Sequence, residues 1–270
     1  MSGIIGAYQG SFGRVTFFDI TEPVADHAHP HVHLLFRVAG GKRSMVVGVK
    51  PVELGADNCI LVNPWQRHAD VAHLCTEPSL MLALYIDPDW FQNRFGSTVG
   101  PVFDECCRQV PASVTALAAE ISSLVSDVTE CGIERLETAV ADLIDGASQF
   151  AGRDAVNTTP SDYRIRRAVG QLTAEPRLHP DFLTIARSVG LSRSRFFEQF
   201  RKSVGVAPTM FVDGLLVERA IDLLVCSNTT IDEISAMLGF SAQSSFSRFF
   251  KDRVGFPPSS LRRAATSTIH

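Results

Sequence analysis

The sequence predicts an α+β protein with an N-terminal antiparallel β-barrel, a two-helix segment, and an all-α C-terminal domain built on tandem helix-turn-helix units. Three observations carry that prediction. Residues 1–105 hold short β-type runs divided by Gly, Pro and Asn, and beyond residue 111 the apolar period changes from two to three and four. The stretch AGRDAVNTTPSD (151–162) is small and polar, which reads as a linker. Finally, FRKSVGVAP from Phe200 returns as FKDRVGFPP from Phe250.

The β-type runs are GRVTFFDI, HLLFRVAG, RSMVVGVK, CILVNP and LMLALYI. After them, Val114, Leu117, Ile121, Leu124, Val125 and Val128 form one apolar stripe. Ile133, Leu136, Val140, Leu143 and Ile144 form a second, with a break near TECGIE. Such stripes must be buried, either on the equivalent helices of a second subunit or on the chain's own barrel.

The 270 residues, 45% hydrophobic and 20% charged, describe an ordinary globular chain long enough for two domains. Neither a run of about 18 apolar residues nor a basic stretch leading into an apolar one occurs, so a membrane span and a secretory signal are not expected. The six cysteines form no CxxC pair and read as reduced thiols of a cytoplasmic protein. Charge is unevenly placed: residues 160–270 carry 15 Lys+Arg against 10 Asp+Glu, and residues 1–159 carry 10 against 19. The C-terminal part is therefore the one suited to a polyanion.

The repeat extends upstream. IARSVG (185–190) parallels ISAMLG (234–239), and each is followed by a hydrophobe and a serine, Ser192 and Ser241. Each unit reads as a short helix ending at glycine, a tight turn, and a second helix with a serine N-cap. Thr230 and Glu233 form a capping box, and Phe196/Phe200 and Phe246/Phe250 are i,i+4 anchors. The units span about 182–203 and 230–252, joined by one continuous helix from Pro208 to about Cys226. A solenoid needs about three or more repeats, and there are two. A 19-residue strut is roughly 28 Å long, which with the widths of the units suits second helices about 34 Å apart, one turn of DNA. The doubling is thus expected to place two reading helices in successive major grooves of double-stranded DNA.

IDEISAMLGFSAQSSFSRFFKDRVGFPPSSLRR (231–263) closely resembles the signature of the AraC/XylS transcriptional regulators, and LTIARSVGLSRSRFFEQFRKSVGVAP resembles that family's first helix-turn-helix. The resemblance covers roughly residues 163–265. It implies a sequence-specific DNA-binding regulator, an activator rather than a repressor, which would contact RNA polymerase and is not an enzyme. Carried across residue by residue, base contacts fall to Ser194, Phe197 and Glu198 on the first reading helix. On the second they fall to Gln243, Ser244, Ser245, Ser247 and Arg248. Arg can fork onto guanine and Gln onto adenine. Glu198 departs from the pattern, since a carboxylate can accept from cytosine but repels phosphate. Arg193, Arg195, Arg201, Lys202, Lys251 and Arg253 are the expected phosphate contacts.

Ahead of this domain the family often carries a cupin-like barrel for effector sensing, and residues 1–105 resemble one. HAHPHVHLL is similar to the first cupin motif and GADNCILVNPWQRH to the second. The resemblance maps metal-ligand positions onto His27, His29, His33 and His68, with His33 in place of a glutamate. Two uses stay open for these imidazoles: a divalent metal (Zn, Mn, Fe or Ni), or a metal-free pocket for a small-molecule effector, to which Phe36, Trp65, Met81 and Tyr85 would contribute. By the same resemblance the helical segment 106–150 is a dimerisation region and the protein a homodimer. A regulator without an effector and a metal-dependent cupin enzyme tethered to DNA are the rival readings.

Overall fold

The computed structural model describes residues 3–74, 77–95, 102–148 and 162–267. Among the described residues the N-terminal half has nine strands: β1 (Gly3–Gly10), β2 (Gly13–Ile20), β3 (Val32–Gly40), β4 (Arg43–Val47), β5 (Lys50–Leu54), β6 (Asn58–Val62), β7 (His68–Asp70), β8 (Ser79–Ile86) and β9 (Cys107–Gln109). They pair antiparallel in a six-stranded sheet of order β1-β2-β8-β3-β6-β9 and a three-stranded sheet of order β5-β4-β7. The expected barrel is therefore not closed. The segment 21–31 carries Pro23 and Pro30, which cannot donate to a ladder, and among the described residues it contributes only the isolated bridge of His27 to His68.

The large sheet is buried on both faces, which is why β3 and β8 read as almost unbroken apolar runs. Alternation sorts their side chains. Leu34, Phe36, Leu82, Leu84 and Ile86 face a helical layer. Leu35, Met81 and Ala83 face the small sheet and the C-terminal half. The helical layer consists of α1 (Pro88–Phe95), α2 (Ala112–Ser126) and α3 (Glu130–Ser148). The α1 segment carries no apolar period that marks it as a helix from sequence. Val114, Ile121 and Val125 of α2, with Leu136, Val140, Leu143 and Ile144 of α3, are buried in one cluster with those sheet residues. Each such side chain contributes roughly 1.5–3 kcal/mol. Most of both stripes is thus buried within one chain, while Leu117, Leu124, Val128 and Ile133 stay half-buried.

The C-terminal half holds α4 (Tyr163–Ala174), α5 (Phe182–Ser188), α6 (Arg193–Val204), α7 (Pro208–Cys226), α8 (Ile231–Met237), α9 (Gln243–Val254) and α10 (Pro258–Ser267). The expected linker lies outside the described residues except for Asp162, which caps α4 by accepting from the Arg164 N–H. The repeated Val-Gly is a helix stop: Gly205 and Gly255 end α6 and α9 at φ 95° and 90°, a conformation that glycine adopts without penalty. Ser192 caps α6 as expected, but α9 starts one residue later than the repeat suggests, with Ala242 at the N-cap and no side-chain cap. The Thr230–Glu233 capping box is present in full. Thr230→Ala is expected to cost about 1 kcal/mol, readable as a shift in the urea midpoint without a change in slope. Phe196, Phe200, Phe246 and Phe250 are all fully buried.

Candidate nucleic-acid interface and histidine cleft

The reading helices α6 and α9 both pack on α7, and the buried phenylalanines decide which faces remain outside. On α6, Arg193, Ser194, Arg195, Glu198, Arg201 and Lys202 are exposed. The Arg193 guanidinium sits 4.9 Å above the half-buried Phe197 ring, and Arg195 pairs with Glu198 at 2.9 Å. That pair occupies the carboxylate which stood out in the sequence. On α9, Gln243, Ser244, Ser245 and Arg248 are exposed and Ser247 is half-buried. Ser244, Ser245 and Arg248 line one surface cleft together with Phe249 and Asp252.

Two of the expected phosphate contacts lie elsewhere. Arg253 is seven residues past Phe246 and three past Phe250, which returns it to the anchored side of the helix. There it donates to Asp213 of α7 at 2.6 Å and stacks 4.0 Å over Phe249. Lys251 pairs with Glu22 of the N-terminal half at 2.7 Å.

A family model described as a helix-turn-helix domain matches residues 185–264. The Msm operon regulatory protein of Streptococcus mutans is 35% identical over 79 residues, 29% of this chain and 28% of that protein. The arabinose operon regulatory protein of Salmonella typhimurium is 31% identical over 104 residues, 38% of this chain and 37% of that protein. The C-terminal domain is of the AraC/XylS type. The chain matches only about a third of the length of these curated relatives. Over nearly the whole chain the fold is similar to that of ToxT of Vibrio cholerae, solved with an unsaturated fatty acid bound. The TM-score is 0.59 at 12% identity, with 94% of this chain and 96% of that one covered. Among the described residues no helix is long and apolar enough to cross a membrane.

The AraC/XylS-type domain is docked directly onto the histidines. His27–His68 and His29–His68 ring centroids are 4.1 and 5.0 Å apart, and His29–His33 are 4.9 Å apart. Backbone carbonyls of Ala25, Leu84 and Gln66 lie 2.8, 3.0 and 3.0 Å from Nδ1 of His27, His33 and His68. Those contacts place the proton on Nδ1 and leave Nε2 as a lone-pair donor, the way metal-ligating imidazoles are held. His29 is only 5% exposed, and neither of its ring nitrogens has a hydrogen-bond partner among the described residues. Burial keeps all four rings neutral by lowering their pKa, that of His33 to about 3. Ligand atoms of His27, His29 and His68 lie within 4.8 Å of one another. This donor set fits a borderline metal ion. His33 is not part of the trio and stacks on Tyr85 at 4.3 Å.

The histidines separate two clefts. One, between the sheets, is lined by His33, His68, Met81 and Tyr85 with Phe18 and Met45. The other lies between the sheet and α7, where His27, His29 and Tyr85 meet Asp213, Gly214 and Glu218. Phe36 belongs to neither, since three residues along a strand from His33 is the opposite face. Trp65, held at φ 60°, packs its ring at a tilt against Phe211 of α7, centroids 4.1 Å apart, and lines neither of these two clefts.

Sequence reading missed the polar side of α7. Burial would raise the Glu218 pKa, but Arg14 and His31, at 3.4 and 2.9 Å, outweigh it and hold the carboxyl at about 2. Arg14 in turn lies 4.4 Å over the Tyr85 ring. The available signal was Gly214, which costs about 1 kcal/mol in a helix interior and so marks a close approach. A Cβ there would stand 2.4 Å from the Ala28 carbonyl oxygen.

Proposed function

We propose that the protein is a sequence-specific regulator of transcription, an activator rather than an enzyme, that reads double-stranded DNA with α6 and α9 and responds to a small effector in the histidine clefts. The supporting observation is the pair of glycine-stopped, phenylalanine-anchored helices whose outer faces carry the residues suited to base edges. Gln243, Ser244, Ser245 and Arg248 can address one groove, and Ser194, Phe197 and Glu198 the other. Arg193, Arg195, Arg201 and Lys202 supply phosphate contacts, worth about 0.9 each in the salt slope. Homodimerisation and contact with RNA polymerase belong to this reading by family likeness. Arg248→Ala is expected to weaken binding by about 1–3 kcal/mol and to relax preference at a single base position. Fluorescence anisotropy on an operator found by genome-wide mapping of bound DNA measures it. Unchanged affinity would remove α9 from the interface.

The nitrogens of buried His29, without a partner among the described residues, favour one class of effector. His27, His29 and His68 would hold a divalent ion such as Zn, Ni, Fe or Mn through neutral nitrogen donors. Elemental analysis after chelator-free purification tests this directly. Retention of one ion per chain supports the metal, and near-zero content returns the clefts to an organic effector.

A further inference from the structure

Glu198 is the residue of α6 that departs from its family's pattern, and its place on the helix narrows what it does. At 3.6 residues per turn it lies about 180° from the line of Phe196 and Phe200, which are fully buried. It therefore stands at the centre of the outward face, with Ser194 about 40° to one side and Arg195 about 60° to the other. A lone carboxylate there would meet DNA with the wrong charge. It is not alone, because Arg195 Nη1 donates to Glu198 Oε2 at 2.9 Å.

Helix stability does not account for this pair. The two side chains are 60% and 61% exposed, where an ion pair contributes little. Arg195 also sits in the first turn of α6, at the positive end of the helix dipole, and base before acid is the less favourable order. What the contact does is fix a guanidinium. Held at Nη1, it has a defined plane, and its Nε–Nη2 edge makes no hydrogen bond among the described residues. Such an edge carries two parallel N–H groups that match O6 and N7 of guanine. The first turn of a reading helix is the part that reaches base edges, whereas Arg201 and Lys202, in the last turn, stay placed for phosphate.

Resting on the proposal that α6 enters a groove, we infer that Arg195 and Glu198 form one reading unit. Arg195 forks onto a guanine, and Glu198 is the positioning residue that aims it. Arg195 thereby leaves the phosphate set of α6 to Arg193, Arg201 and Lys202. The unit is neutral, so it adds specificity without adding to the salt slope.

The test selects binding sites for the full chain from a randomised duplex library. It compares the wild type with Arg195→Ala, Glu198→Ala, their double variant and Arg248→Ala. The wild type is expected to prefer guanine roughly tenfold at one position, an ordinary discrimination for a bidentate contact. Arg195→Ala and the double variant are expected to lose that preference alone. Glu198→Ala is expected to lose most of it while binding unrelated DNA more tightly, since a negative charge has left the interface. Glu198→Gln, which can still accept from Nη1, is expected to restore it. The position should fall about 10 base pairs, one helical turn, from the one that Arg248→Ala relaxes. The double variant removes no net charge, and its salt slope should match the wild type's. A slope lower by about 0.9, with equal weakening on every sequence, would return Arg195 to phosphate and overturn the unit. A preference that survives Arg195→Ala but vanishes with Glu198→Ala would overturn it too, as the mark of a carboxylate that reads cytosine directly. If the wild type selects no sequence, the DNA reading itself fails. If it selects one that only Arg248→Ala alters, the unit fails and the reading by α9 stands.

Discussion

Asp70→Ala is expected to destabilise the protein by about 3–5 kcal/mol, the cost of leaving one member of a buried ion pair alone. Arg43 and Asp70 are paired with side chains 1% and 4% exposed. Without the carboxylate, Arg43 keeps only a long 3.4 Å contact to the Glu22 carbonyl, and its Nη1 is already without a partner among the described residues. The Val24 N–H loses its acceptor as well. Arg43→Met should cost less, because Asp70 still accepts from Val24 and the aliphatic side chain fills much of the space. The double variant Arg43→Met/Asp70→Leu should recover more than half of the Asp70→Ala loss, since an apolar pair of similar volume is often neutral in such a position. Urea unfolding of the wild type, Asp70→Leu, Arg43→Met and the double variant closes the cycle, with Asp70→Ala measured beside them. A loss below about 1 kcal/mol for Asp70→Ala would mean that water reaches the pair.

Gly214→Val is expected to cost about 3 kcal/mol, an overpacking penalty with no soft neighbour to absorb it. The new Cβ would meet the Ala28 carbonyl oxygen at 2.4 Å and a ring carbon of Trp65 at 3.0 Å. One is backbone. The other is a ring packed against Phe211. The isolated residues 162–267, if they fold alone, should instead be little affected, because valine costs no more than glycine inside a helix. Calorimetry of the full chain should then show the single transition lowered or split in two. An unchanged transition would mean that α7 does not rest on residue 28.

The C-terminal half was legible because its signals are local. Val-Gly stops, the Thr230–Glu233 box and the i,i+4 phenylalanines act over a few residues, and α7 spans Pro208–Cys226 as read. In the N-terminal half, β2 and β8 followed from their apolar runs, but sheet closure depends on pairing between distant segments and was misread as a barrel. Phe36 was assigned to the pocket although strand alternation puts it opposite His33. Arg253 was assigned to phosphate although its spacing from Phe246 and Phe250 turns it inward. Both errors were avoidable by periodicity. The polar contacts of α7 with Arg14 and His31 were not, since residues about 200 positions apart announce no relation in sequence.

Phe18, Ile20 and Ala28 share one apolar cluster with Phe211, Val212 and Phe256. The two halves therefore cannot be traded as interchangeable parts. A chimera that grafts this N-terminal half onto another helix-turn-helix domain would have to rebuild the contact surface of α7 and of residues 254–256, or accept a joint without that shared core.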